Sequence, residues 1–210
     1  MQLKLVIVGI GGQGVLFATR ILSETALALG HEIIGAETHG MSQRGGSVIS
    51  HLKIGAQGGP LVRQGTADIF LALDPDEGYK ALSFLRDGGV GFVNTGRPVY
   101  PQPEIAAHLA ERNIELHVLN ADAIAMELGS PALANVALIG FALAHSALPF
   151  SYADVQEALT RVSKERFRAP NLKALARGYA MGERISAPAI QPSSDVLSLS
   201  KGHPAIQPQG

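Results

Sequence analysis

The sequence predicts an α/β fold of Rossmann-like character: a mainly parallel sheet with helices on both faces, and a helical C-terminal third. Three observations carry this reading. Short apolar runs alternate with stretches of helical period along most of the chain. The first run, Leu3–Val8, leads through the glycine-rich turn Gly9-Ile10-Gly11-Gly12-Gln13-Gly14 into a helix-like stretch. Runs such as Ile69–Leu73 are apolar throughout, as expected of strands buried on both faces.

Leu3–Val8 is apolar except for Lys4 and reads as the first strand. After the glycine turn, Val15, Ala18, Leu22, Ala26 and Leu29 recur at three- and four-residue spacing, so a helix runs from about Val15 to Leu29 and stops at Gly30. Glu32–Ala36 is a second strand, followed by a polar, glycine-studded loop from Glu37 to Gly46. Ser47–Ile54 alternates, with Val48, Leu52 and Ile54 on one side and His51 and Lys53 on the other, which predicts a half-exposed strand. A turn-rich connection containing Gly58-Gly59-Pro60 leads to the strand Ile69–Leu73, which ends at Asp74-Pro75. A helix over Asp76–Arg86, a break at Gly88-Gly89 and a strand over Val90–Asn94 come next. Pro103–Arg112 is expected to be helical, Ile114–Leu119 a strand and Ala121–Leu128 a short helix. From Pro131 the pattern is helical over Pro131–Ala147, Tyr152–Ser163 and Asn171–Ile185, separated by proline-containing turns. The expected domain therefore spans residues 1–185. Residues 186–210, with Pro188, Pro192, Pro204 and Pro208 and little periodicity, form a Pro/Ser-rich tail.

Composition narrows the function. A net charge of −1 over 210 residues offers no electrostatic footprint for nucleic acid or an anionic membrane. The chain has no cysteine, so its own thiolates can neither hold an iron–sulfur cluster nor act as a nucleophile. Leu128–Ala153 carries no formal charge, but prolines 131 and 149 confine its apolar part to a length short for a membrane span, and a buried core helix is expected there. Met1-Gln2-Leu3-Lys4 shows no signal-peptide pattern, and a cytoplasmic protein is expected.

Gly9-x-Gly11-x-x-Gly14 between strand and helix is the dinucleotide-binding fingerprint, and Glu37 stands where a ribose-binding carboxylate belongs. The motif alone leaves two readings open: backbone N–H groups offered to a phosphate, or a tight turn with nothing bound. The stretch after Glu37 enters a strand instead of the helix that a mononucleotide-binding half requires.

Gly9-Ile10-Gly11-Gly12-Gln13-Gly14-Val15, together with Glu37-Thr38-His39-Gly40-Met41-Ser42-Gln43-Arg44-Gly45-Gly46-Ser47-Val48, resembles the small subunit of indolepyruvate:ferredoxin oxidoreductases, the gamma-type domain of the 2-oxoacid:acceptor oxidoreductase family. The resemblance continues through Asp68–Asp74, Asn135–Gly140, Phe167 and Asn171–Leu175, and so covers about residues 1–185. It departs at Arg168-Ala169-Pro170, where a lysine-containing stretch is expected. The resemblance implies coenzyme A-dependent oxidative decarboxylation of arylpyruvates such as indolepyruvate, with electrons passing to ferredoxin. It further implies that thiamine diphosphate and the iron–sulfur clusters sit on a large partner subunit, and that this chain alone binds no cofactor.

Arg44, flanked by small residues, is the first candidate for a phosphate or carboxylate, or for an intersubunit bridge. Gly11, Gly12 and Gly14 are candidates for ligand contacts or for a turn facing the partner, with Gly45, Gly46 and Ser42 beside Arg44. His39 is a possible proton shuttle. Asn135, on an otherwise apolar helix, is expected to hydrogen-bond a loop backbone or to line the site. His108, His117 and His145 lack metal-ligand spacing and receive no function. Two other readings of the chain are a free-standing NAD(P)-dependent dehydrogenase and a regulatory or assembly module without a ligand.

Overall fold

The computed structural model describes residues 2–39, 45–55 and 58–186. Strands β1 (Leu3–Ile10), β2 (Ile33–His39), β3 (Ser47–Ile54), β4 (Ala67–Ala72), β5 (Leu85–Asn94) and β6 (Glu115–Leu119) form one sheet in the order β2-β3-β1-β4-β5-β6. β1, β4, β5 and β6 pair in parallel. β3 is antiparallel to both β1 and β2, so it alone runs against the other five. The sheet is mixed but mainly parallel, as expected.

Residues of alternate parity along β1 feed two separate cores. Leu3, Leu5 and Ile7 join the larger one with α1 (Val15–Ala28), α4 (Ala121–Glu127), α5 (Ala134–Ala144), α6 (Tyr152–Val162) and α7 (Glu165–Ser186). Val6 and Val8 face the smaller core, with Ala81 of α2 (Pro75–Ala81) and Leu109 of α3 (Pro103–Glu111). Helices therefore cover both faces. α5 is buried along nearly its whole length, so the uncharged stretch is a core helix packed chiefly on α7. No helix among the described residues is long and apolar enough to cross a membrane.

Several expectations need correction. Leu29 does not share the buried face of α1; Ile21 and Thr25 do, and Leu29 is largely exposed. β2 runs on to His39, because every residue from Ile33 finds a partner in β3, and this shortens the expected loop. β3 is not half-exposed: His51 packs edge-on against Phe84, and the Lys53 ammonium donates to the Gly59 carbonyl at 2.7 Å. Strand parity separated the two sides correctly, but the connection from β3 to β4 covers the polar one. The helix expected over Asp76–Arg86 ends at Ala81, a 3₁₀ turn follows over Leu82–Phe84, and β5 starts at Leu85. Gly88-Gly89 lies inside β5, where the pairing with β4 jumps from Ala67↔Leu85 to Ile69↔Val90 and Gly88 takes a positive φ of 69°. The helical stretch at Pro131 opens as a 3₁₀ turn over Pro131–Leu133, and α5 ends at Ala144.

Pro170 does not separate neighbouring helices but lies within α7. It costs one backbone bond near the helix start, and neighbouring side chains hold that segment. Asn171 Nδ2 donates to Ser163 Oγ at 2.9 Å and Arg168 Nε to the Thr160 carbonyl at 3.2 Å. α7 continues to Ser186, and residues 187–210 of the expected tail lie outside the described residues.

Candidate functional site

From β1 the chain turns outward to β2 and β3; from β4 it proceeds to β5 and β6 on the other side. The crevice outside the carboxyl ends of β1 and β4 is therefore the topological switch point, where open α/β sheets place their ligands. The glycine turn after β1, the start of β3 and the first turn of α2 meet there.

The turn is closed by its own hydrogen bonds. Gln13 N–H donates to the Ile10 carbonyl at 3.0 Å, and the Gln13 side-chain oxygen accepts from Ile10 N–H at 2.7 Å. Gly12 and Gly14 adopt φ of 105° and 82°, a region open to glycine at little cost. A Cβ on Gly14 would stand 2.1 Å from Asn135 Nδ2, which donates to the Gly14 carbonyl at 3.1 Å. Asn135 is buried, and its oxygen accepts from Val136 N–H at 2.7 Å. The expectation that Asn135 bonds a loop backbone is met, since α5 and the glycine turn are tied through it. The Gly11 N–H donates to the Gly46 carbonyl at 2.9 Å and is not free for a ligand. The turn is thereby joined to the segment that starts β3.

Gly45, with φ of 77°, and Gly46 border this junction, and His39 closes β2 opposite Val48. Ser42 and Arg44 lie outside the described residues.

Sequence reasoning missed the polar residues of β3, α2 and β5 that complete the crevice. Glu77 is buried; its carboxylate accepts from Ser47 Oγ at 2.5 Å and from Lys80 Nζ at 2.6 Å, and that bond raises the lysine's pKa. Asp74 caps α2, accepting from Asp76 N–H at 2.9 Å and Glu77 N–H at 3.1 Å. The Arg97 guanidinium, bonded to Asp76 at 2.8 Å, holds that carboxyl below its ordinary value. At the end of β5, buried Asn94 donates to the Leu73 carbonyl at 3.1 Å and accepts from Ala121 N–H at 2.9 Å and Asp122 N–H at 3.2 Å. Its side chain thus satisfies donors at the start of α4 that could otherwise face an anion. A carboxylate three residues past Asp74, in the Asp-Pro that follows a strand, was the one signal that could have flagged Glu77.

Glu37 lies elsewhere. With Leu16, Thr19, Arg20, Ser50 and Leu52 it lines an open groove of about 400 Å³ between α1 and the β2–β3 hairpin. None of Gly9–Gly14 borders that groove.

His117 and His145, given no function from sequence, face each other with ring centroids 4.2 Å apart beside Phe92 and Phe141. Among the described residues no cluster of three or more His, Asp or Glu is arranged to hold a metal ion.

A family model described as pyruvate ferredoxin/flavodoxin oxidoreductase matches residues 4–181. The chain belongs to this family. Within it, the chain is 36% identical to the indolepyruvate oxidoreductase subunit IorB of Archaeoglobus fulgidus, over 89% of this chain and 100% of that protein. It is 32% identical to the IorB of Pyrococcus horikoshii, over 88% and 98%. The pyruvate ferredoxin/flavodoxin oxidoreductase fold is seen in the keto/oxoacid ferredoxin oxidoreductase gamma subunit of Geobacter sulfurreducens, with a TM-score of 0.66 and 23% identity over 86% of this chain and 98% of that one. A 2-oxoglutarate:ferredoxin oxidoreductase from Magnetococcus marinus contains the same fold in 31% of a longer chain, matching 87% of this one with a TM-score of 0.70 at 19% identity.

Proposed function

We propose that this chain is the small subunit of an indolepyruvate-type 2-oxoacid:ferredoxin oxidoreductase. The observation that carries the reading is the 36% identity to an indolepyruvate oxidoreductase subunit over that protein's full length. Identity to the pyruvate/ketoisovalerate common gamma subunit of Thermococcus kodakarensis is 26%. On this reading thiamine diphosphate and the iron–sulfur clusters belong to a large partner subunit, ferredoxin receives its electrons there, and coenzyme A is the co-substrate. A chain without cysteine does not fit a thiolate-held cluster, which agrees with that division of labour. This subunit supplies shape and electrostatics at the crevice beside β1 and β4, and Arg44 supplies a cation for an anionic group. The dehydrogenase reading has weaker support, because Glu37 lines a groove that none of Gly9–Gly14 borders.

The test is reconstitution. Indolepyruvate- and coenzyme A-dependent reduction of a viologen dye is expected only when the purified chain is mixed with its large partner. Turnover by this chain alone, free of partner, would refute the proposal.

A further inference from the structure

We infer that Glu77 is a positioning residue for the crevice, acting through the hydroxyl of Ser47. Among the described residues it is the one carboxylate in the buried set. A buried carboxylate costs free energy unless it is paired and hydrogen-bonded, and an apolar side chain would bind α2 to its neighbours at lower cost. What an apolar contact lacks is direction. One oxygen of Glu77 accepts from Ser47 Oγ, 30 residues away in sequence, while the other is held by Lys80 from the same helix. Ser47 starts β3 opposite Ile10, and the preceding Gly46 carbonyl takes the Gly11 N–H. The Gly45–Ser47 segment is thus gripped from two sides, by the glycine turn and by the carboxylate of α2. Two polar ties of fixed direction set where this wall of the crevice stands, and hence where β3 begins.

The inference rests on the reading that this crevice is the working face of the subunit, so its test must fail separately from that reading. Ser47→Ala, Ser47→Thr, Glu77→Ala, the Ser47→Ala/Glu77→Ala double variant and Arg44→Lys are each purified as the complex with the large partner. Indolepyruvate- and coenzyme A-dependent dye reduction, complex assembly and melting temperature are then measured. Ser47→Ala is expected to lower kcat/KM for one of the two substrates about tenfold, the scale of a modest misplacement of a positioning group, while assembly holds and the melting temperature falls by only the few degrees that one lost hydrogen bond implies. Ser47→Thr, which keeps the hydroxyl, should restore the wild-type value. The double variant should lose no more than the worse single one, because both remove the same tie. An assembled Ser47→Ala complex with wild-type kcat/KM overturns the inference, as does activity lost only in step with assembly or melting temperature. If Arg44→Lys is impaired while Ser47→Ala is not, the inference fails and the working-face reading stands. If neither is impaired, both fail.

Discussion

Gly14 carries two constraints at once. Its φ of 82° is unfavourable for residues with a side chain, and the space a Cβ would take is filled by Asn135 Nδ2. Gly14→Ala should therefore cost backbone strain and the Asn135 hydrogen bond together, about 2–4 kcal/mol. In a domain of this size that corresponds to a fall in melting temperature of roughly 5–15 °C. Gly12, with φ of 105°, has among the described residues no atom beyond its chain neighbours within 4 Å of where a Cβ would stand, so Gly12→Ala should cost only the strain, about 1 kcal/mol. Equal thermal shifts for the two variants would contradict the role given to Asn135. Arg44 is argued from chemistry instead of packing: a guanidinium followed by two glycines, Gly45 and Gly46, suits a bidentate reach to a carboxylate or phosphate. Arg44→Lys keeps the charge and loses the fork, and the assembled enzyme should fall about ten- to a hundredfold in kcat/KM. The substrate whose KM moves identifies the anion. Weakened assembly on gel filtration, with normal turnover of the complex that does form, would instead make Arg44 an intersubunit bridge.

At the scale of elements, the decisive packing is that of α7 on α5. A Cβ on Gly178 would stand 1.8 Å from the Ala137 carbonyl oxygen, one on Gly140 2.2 Å from the Leu175 carbonyl oxygen, and one on Gly182 2.6 Å from Ala144 Cβ. The two backbones approach so closely that no side chain fits between them, and the helices are held by extended van der Waals contact. Gly178→Ala should push α7 outward and cost about 1–3 kcal/mol, the usual range for overpacking. Urea denaturation of the isolated chain measures this, and an unchanged midpoint would mean that the helices separate without penalty. The sequence showed helical period in both segments but nothing of which glycines face each other. Pro170 misled for a related reason: taken alone it reads as a break, yet hydrogen bonds from Arg168 and Asn171 to the α6 region hold the helix through it.

For the whole molecule, burial sets the response to acid. Burial, with Lys53 nearby, pushes the pKa of His51 down, and burial, with His145 opposite, lowers that of His117 against the opposing pull of Glu115. The unfolded chain takes up these protons near pH 6.5, while the folded chain binds them only at lower pH. Stability from both groups is therefore complete above about pH 6.5 and is lost as pH falls through the folded values. Melting temperature measured from about pH 8 down to about pH 5 should decline over the acid half of that range. His117→Phe, which keeps a ring against Phe92, should flatten the slope. An unchanged slope in that variant would show that another group dominates.

By itself the sequence determined the order of strands and helices, the mainly parallel sheet, the glycine turn and its β2–β3 companion. These are written in local signals: apolar period, glycine at positions of positive φ, and motifs contiguous in the chain. It also pointed to the hydrogen bond of Asn135 to a loop backbone, because a lone amide on an apolar helix requires a partner. Tertiary structure alone decided that β3 runs against its neighbours with both faces covered, that Gly11 is tied to Gly46, and that Glu77 holds Ser47. The β1–β3 pairing, the Gly11–Gly46 bond and the Glu77–Ser47 bond each join residues 30 or more positions apart, and no local period or propensity encodes which distant donor meets which acceptor. That pairing is settled only when the sheet order brings the carboxyl ends of β1 and β4 side by side.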